Sequence, residues 1–508
     1  MLDATANTIV LRDEDSVAIA LTPIAAGATV AANDDRVQAL SDIPNGHKIA
    51  RRDIAAGDPV LKFGQVIGVA TVPIRRGEHV HVQNVGMSVL TLDYGVGRDY
   101  RPTLPVADPV SFQGYVRADG RVGTRNYIGL IASVNCSATV CRMIAAAFTS
   151  ERLKAYPNVD GVVAIVHGSG CGMGLGIGLD ILRRTITGYA DHVNFAGIGV
   201  IGLGCEVNQV SSLIERIAPR GAGLVRSLTI QDEGGTQAAV DAGIAAVETM
   251  LPIANAASRD TVSASRLTLG LQCGGSDGYS GISGNPVLGV AVDMLVANGG
   301  TAILSETPEI YGAEHLLTAR AATPEVAEKL LERVRWWEDY TAANKGDMNN
   351  NPSPGNKAGG ITTILEKSLG AVAKGGSTGL MEVYHYAEAV DRPGLVFMDT
   401  PGYDPVSATG QVAGGANMIC FTTGRGSAYG CKPTPSLKIA TTSSLFRRMG
   451  PDMDFNAGVV VDGTSTVQEA GADLFALLIK SASGAKTRSE TLGIGDNEFV
   501  PWQIGAVM

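Results

Sequence analysis

The sequence predicts an α/β fold in which lobes with parallel sheets follow a small β-rich domain. Three observations carry that expectation. From Phe112 onward, apolar runs of strand length alternate with helix-length segments. The first ninety residues show short apolar alternations cut by regularly spaced turns. Glycine accounts for 64 of the 508 residues, against roughly 7% in an average chain, and its dispersed placement asks for many tight turns and close backbone approaches.

In the N-terminal stretch, VAIAL, KIA, PVLKF, VIGVATV and EHVHV read as strands, with IAAGA, IPNGH, IAAGD and IRRGE as the turns between them. A β domain over 1–88 follows. Asp93, Tyr94, Gly95, Tyr100, Pro102, Pro105 and Pro109 interrupt any helical period, so 89–112 reads as a linker. Beyond it, YIGLIASV, GVVAIV, GIGVIGLG, LTLGLQ, TAILS, GLVFMD and NMICF are the strands. TVCRMIAAAF, LGVAVDMLVAN and PEVAEKLLERVRWWEDY are helices. Continuous apolar strands between helices mark parallel sheets buried on both faces. The polar interval ANAASRDTVSASR divides this region into lobes over 113–262 and 263–508. No internal repeat emerges.

Composition narrows the function. With 45% hydrophobic and 18% charged residues the chain is globular. A net charge of −10 without a basic stripe argues against nucleic acid as a partner. The first 25 residues carry acids where a signal peptide needs positive charge and hold no apolar run that would span a membrane. A cytoplasmic protein with free thiols is expected, and self-association is compatible with its acidic surface.

Four of the seven cysteines end apolar runs: Cys136, Cys171, Cys205 and Cys273. In parallel α/β sheets the carboxyl ends of strands are where ligands bind. Four thiols brought to one such edge would form a soft-ligand cluster for iron, zinc or an iron–sulfur centre. His167 precedes Cys171 by four residues and Glu206 follows Cys205, adding acid–base candidates. Buried cysteine as an inert small hydrophobe is the competing reading.

A second cluster lies in the β domain: His47, Lys48, Lys62, His79 and His81. On a strand, His79 and His81 share a face, which suits a metal or an anionic substrate. The C-terminal lobe sets Lys357, Arg425 and Lys438 in or beside Gly- and Pro-rich loops. Small residues let the backbone approach a ligand, and Lys or Arg binds carboxylates. No Walker motif or dinucleotide fingerprint is present, so a small anionic substrate is expected.

GYVRADGRVGTRNYIGLIASVNC (114–136), IGLGCEVNQV (201–210), QCGGSDGYSGISGNP (272–286), NPSPGNKAGGITTILEKSLG (351–370) and FTTGRGSAYG (421–430) closely resemble the altronate and galactarate dehydratase family of sugar-acid hydro-lyases. The N-terminal part, with IPNGHKIA and KFGQVIG, is similar to that family's β-clip domain, called SAF. The resemblance implies loss of water from an aldonate or aldarate to give a 2-keto-3-deoxy acid, assisted by a divalent metal, iron or manganese. It also implies that Cys136, Cys171, Cys205, Cys273, His167, Glu206 and Asp277 match the family pattern. The altronate branch commonly reads GEHVHxHN where this chain has Gly77 to Asn84, with Gln83 at the third histidine. The galactarate branch lacks the paired histidines, so their presence implies an aldonate such as D-altronate. Galactarate dehydration, sulfite elimination from sulfolactate, and an inactive sugar-acid-binding regulator are the rival readings.

Overall fold

The computed structural model describes residues 8–87, 92–217 and 224–505. The first domain is built from short antiparallel strands. One sheet orders Thr8–Ile9, Val17–Ala20, Lys48–Ala50 and His79–Val80; another orders Pro59–Lys62, Gln65–Ala70 and Val85–Gly86. Its four Ile-x-x-Gly turns form two matched couples, because Ile24 bridges Ile43 and Ile54 bridges Ile74. Backbone hydrogen bonds run both ways in each couple at 2.8 to 2.9 Å. The glycines of these turns, Gly27, Gly46, Gly57 and Gly77, all take positive φ. An internal correspondence that the sequence reading passed over is therefore present in the pairing.

Of the linker expected over 89–112, residues 89–91 lie outside the described residues, and the part from 92 onward is anchored. Gly97 and Asp99 donate backbone hydrogen bonds to Thr318 and Ala319, and Val106 donates to Ala297, all in the third domain. Ser111–Val116 is already a strand and pairs with Arg259–Ser263. The polar interval expected only to divide two lobes thus contains a strand that ties the two ends of the middle domain together. Its polar residues fit a half-exposed edge.

The middle domain holds a parallel sheet in the order Gly161–Ile165, Tyr127–Ala132, Phe195–Gly202, Val225–Thr229. Ile177–Ala190 and Thr236–Asn255 are its long helices. The third domain holds seven strands, in the order Leu380–Tyr384, Gly394–Met398, Thr301–Leu304, Thr268–Cys273, Met418–Thr423, Ser436–Ala440, Phe455–Asn456. Every pairing in it is parallel. Thr301–Leu304, Gly394–Met398 and Met418–Thr423 are buried along their whole length, as continuous apolar runs require. From Thr268–Cys273 the chain moves first to one side of the sheet and later returns to the other. That reversal makes the carboxyl end of Thr268–Cys273 the crevice where such sheets bind ligands. Among the described residues no helix is long and apolar enough to cross a membrane.

Candidate active site

Four loops meet at that crevice, and glycine is what lets them. A Cβ on Gly278 or on Gly360 would overlap the carbonyl oxygen of Gly46. Gly46 itself sits at φ +79°, its missing Cβ facing Tyr279 and the Gly359 oxygen. The Tyr279 hydroxyl donates to the Ala20 carbonyl at 2.7 Å, and Gly278 N donates to Gly359 O at 2.8 Å. Backbone contact of this closeness seats the first domain on the third and carries the next residue, His47, into the crevice.

His47, His79 and His81 form a compact group. Their ring centroids lie 4.6 to 5.3 Å apart. A ligand nitrogen from each lies within 4.8 Å of the others, close enough for one ion. His47 Nε2 is 3.3 Å from the Ala358 carbonyl, to which its N–H donates, and Nδ1 is 3.0 Å from His79 Nε2. A backbone carbonyl that fixes the tautomer is the usual support for a metal-ligating imidazole, and here it leaves Nδ1 unprotonated, facing His79 Nε2. Burial lowers all three pKa values, to about 4 for His79 and about 3 for His81, with the Lys48 charge opposing protonation as well. The neutral rings this enforces are the form that binds metal. His81 Nδ1 is buried with no hydrogen-bond partner, a nitrogen that an ion would satisfy. The three histidines therefore fit a divalent cation that favours imidazole. Gln83, which stands where a further histidine was anticipated, donates to the His79 carbonyl at 2.9 Å alongside Asn84 Nδ2. It holds the turn that aims the pair.

Beneath the histidines a buried ion network locks the two domains together. Lys48 Nζ reaches Gly360 O at 2.5 Å and both oxygens of Glu366 at 2.9 and 3.1 Å. Lys62 Nζ joins Glu366 at 2.8 Å. Burial opposes the charge on Glu366, but the two lysines hold its pKa well below the ordinary range, while burial pushes Lys48 down to about 8. Glu366 belongs to the buried helix Ile364–Val372, which Thr363 caps by accepting from the Glu366 amide. The next residue, Lys367, turns to the opposite side and binds Glu309 at 2.6 Å.

Glu309 belongs to a second cluster. Cys273, Glu306 and Glu309 also bring three donor atoms within 4.8 Å. Lys374 Nζ sits among them, 3.0 Å from Cys273 Sγ and 3.1 Å from Glu306. Burial first, then Glu309, raises the Glu306 pKa, and burial keeps Cys273 a protonated thiol. Burial also raises nearby Asp404 to about 6, with Glu309 adding to the effect. Glu306 lies in the left-handed region at φ +70°, strain of about 1–3 kcal/mol that persists only where the surroundings impose it.

Several residues singled out from the sequence prove committed elsewhere. Cys273 is buried at the carboxyl end of the central strand of the seven-stranded sheet, whereas Cys136, Cys171 and Cys205 are exposed on the middle domain. Among the described residues no three of these thiols lie within reach of one ion, so the four do not assemble a single-ion centre. His167 bonds the Ala132 carbonyl at 3.0 Å and accepts from Ser169 N at 3.1 Å, leaving neither nitrogen free. Glu206 ties Ser133 Oγ to Gly204 N, so both order middle-domain loops. Asp277 is buried and accepts from Tyr279 N, Ser280 Oγ and Thr441 Oγ1. Lys438 is buried with its ammonium on the Tyr429 carbonyl at 2.7 Å. The bonds of Lys48 and Lys62 to Glu366 and Gly360 likewise turn those lysines from acid–base or substrate groups into a lock. Lys357, half-buried, adjoins Ala358, and Arg425, exposed, donates its amide to Gly275 O. Both sit on the converging loops. Glu306, Glu309 and Lys374 were missed as a cluster, although both glutamates follow the TAILS strand at the sheet edge that singled out Cys273.

A β-clip module seated on the ligand-binding rim of a parallel α/β domain brings three neutral histidines to that rim, an arrangement suited to holding a divalent ion beside a small ligand. Three family profiles match along the chain: "Altronate/galactarate dehydratase SAF domain" over 6–88, "D-galactarate dehydratase/Altronate hydrolase, second domain" over 114–255, and "D-galactarate/Altronate dehydratase, C-terminal" over 264–507. The altronate dehydratase of Escherichia coli (strain K12) is 36% identical over 477 residues, covering 94% of this chain and 95% of that protein. The galactarate dehydratase (L-threo-forming) of the same organism is 38% identical over 507 residues, 96% and 95% of the two chains. The altronate dehydratase of Bacillus subtilis (strain 168) is 33% identical over 490 residues, 95% and 96%. The chain belongs to the altronate/galactarate dehydratase family.

Proposed function

We propose that this enzyme removes water from an aldonate, D-altronate foremost, to give a 2-keto-3-deoxy acid, with a divalent ion, iron or else manganese, held by His47, His79 and His81. The observation that carries this reading is the histidine group itself: three neutral imidazoles, one with an orphaned buried nitrogen, beside a Gly-lined crevice. When bound, such an ion supplies Lewis-acid polarisation of carboxylate or hydroxyl oxygens. Ala358 fixes the His47 ring for that purpose. Lys357 and Arg425, on loops that converge there, supply positive charge for the substrate carboxylate, charge that also favours the enediolate formed when the α-proton leaves. Free thiols at all seven cysteines fit the reducing cytoplasm.

An aldarate substrate is the second reading, favoured by the likeness to the protein named galactarate dehydratase. One assay separates them: D-altronate, galactarate and 3-sulfolactate offered to iron- and manganese-loaded enzyme, scored by keto-acid formation and sulfite release. Keto acid from D-altronate is expected. Turnover of galactarate alone transfers the assignment, and binding without turnover of any of the three defeats the catalytic reading.

A further inference from the structure

The three exposed cysteines of the middle domain serve no purpose in the chemistry above, yet they are not scattered. Gly161–Ile165, Tyr127–Ala132 and Phe195–Gly202 are adjacent parallel strands. Cys171, Cys136 and Cys205 follow them six, four and three residues past their carboxyl ends. The loops carrying them are tied to one another. Asn135 N donates to Ser169 O at 2.8 Å, Asn208 N to Gly170 O at 3.2 Å, and Asn208 Nδ2 to Ser133 O at 2.9 Å. Ser133 Oγ donates to Glu206 at 2.7 Å. Gly170, at φ +99°, packs so closely on Ser133 and Val134 that a Cβ would stand 2.8 Å from the Val134 Cα. Gly172 and Gly204, each next to a cysteine, also take positive φ.

All seven cysteines are free, but only these three are exposed; Cys141, Cys273, Cys420 and Cys431 are buried. Cysteine ordinarily ranks among the most buried residue types, so three exposed thiols on one rim ask for an occupant. Their sulfurs are not gathered for a single ion. A multi-iron cluster, whose ligands bind different irons, spaces its thiolates more widely. Gln231 Nε2 lies 3.7 Å from Cys205 Sγ, a weak N–H contact of the kind that tunes cluster sulfurs. Among the described residues no lysine is bonded to any of the three, in contrast to Cys273.

We propose that Cys136, Cys171 and Cys205 ligate a [4Fe–4S] cluster, leaving its fourth iron without a protein thiolate. Each thiol gives up its proton on ligation of the assembled cluster, and the fourth iron takes a small oxygen donor. The site is separate from the histidine group and goes beyond the dehydratase reading.

The test uses the full chain, purified without oxygen and, in a parallel sample, reconstituted with ferric iron, sulfide and a thiol reductant. Acid-labile sulfide of about four per chain is expected, with visible absorbance that dithionite bleaches. Cys136→Ser, Cys171→Ser and Cys205→Ser should each lose more than half of that sulfide, while Cys420→Ser and His81→Ala keep it. His81→Ala is expected to lose turnover with its sulfide intact, so the two proposals fail independently. Where a serine variant unfolds by circular dichroism, alkylation of the wild-type chain decides instead. The loaded protein should shield Cys136, Cys171 and Cys205 from iodoacetamide, and removal of the cluster should expose them. Absence of labile sulfide from both samples, its retention in the three folded variants, or equal alkylation with and without loading overturns the proposal.

Discussion

Two clusters in this protein each bring three metal-type donors within 4.8 Å, and they are opposites. Cys273, Glu306 and Glu309 already contain their cations: Lys374 lies at 3.0 to 3.1 Å and Lys367 at 2.6 Å, so two ammonium groups sit among the two carboxyl groups and the thiol keeps its proton, although Glu306 Oε1 is left without a hydrogen-bond partner. His47, His79 and His81 carry no charge of their own, and one buried nitrogen lacks any partner. The contrast teaches that the number of donors does not define a metal centre. What matters is whether the protein has supplied the counter-charge itself. A closed ion network spends its electrostatics on holding the fold, and an open set of neutral donors leaves a place for something to enter.

The largest expected effect breaks the closed cluster. Lys374→Met leaves Glu306 and Glu309 with one lysine between them, a buried charge without its partner, and should cost about 3–5 kcal/mol, read as a lowered midpoint in urea at constant slope. If zinc or manganese restored that midpoint, the ammonium would be shown to occupy a cation's place.

Next in size is a pH effect at a neutral histidine that is fully bonded. Burial lowers the His167 pKa to about 4 from an ordinary 6.5. Between those values the unfolded chain binds a proton that the fold refuses. Stability is therefore complete above about pH 6.5 and falls as pH drops toward 4, by about 3 kcal/mol from this residue. Urea midpoints at pH 7 and pH 4.5 should converge in His167→Gln relative to the parent, less whatever the lost hydrogen bonds cost at both pH values.

Opening the histidine group comes third. His81→Ala should lower kcat/KM on the order of 100-fold, about 2.7 kcal/mol, and abolish manganese binding measured by equilibrium dialysis. Manganese retained at the Cys273 cluster in that variant would reverse the roles assigned to the two clusters. Away from both, Thr466→Ala removes the capping box of helix Val467–Ala482 and should cost about 1 kcal/mol, with the metal content unchanged.

Much of this was legible in the sequence because periodicity is local. The apolar runs from YIGLIASV to NMICF became parallel strands; the strand at the paired histidines covers only His79–Val80, and His81 follows directly after it with its ring stacked on that of His79. What stayed hidden is non-local. Glu366 and Lys367 fall inside the motif NPSPGNKAGGITTILEKSLG without any sign of a role, yet they sit on a buried helix facing opposite partners, Lys48 and Glu309, respectively 318 and 58 residues away in the chain. The same reasoning that put Cys273 beside Cys136, Cys171 and Cys205 was sound about strand ends and silent about how many sheets there are. Two sheets separate those thiols, and no pattern along the chain reports that count. Leu380–Tyr384 and Ser436–Ala440 were not anticipated as strands, since their lysine, glutamate and serine break the apolar run; inside the sheet those groups find partners, as Lys438 does on Tyr429.

The meeting of Gly46 with Gly278 and Gly360 has a consequence for how the enzyme could fail. At Gly278 and Gly360 the atoms in the way are main chain, the Gly46 carbonyl, so the fit there behaves as a mortise cut to size: a single added methyl offers no graded loosening and pushes against the ion lock of Lys48, Lys62 and Glu366. Loss of the histidines from the crevice could then arise from a substitution that removes no ligand, no charge and no hydrogen bond.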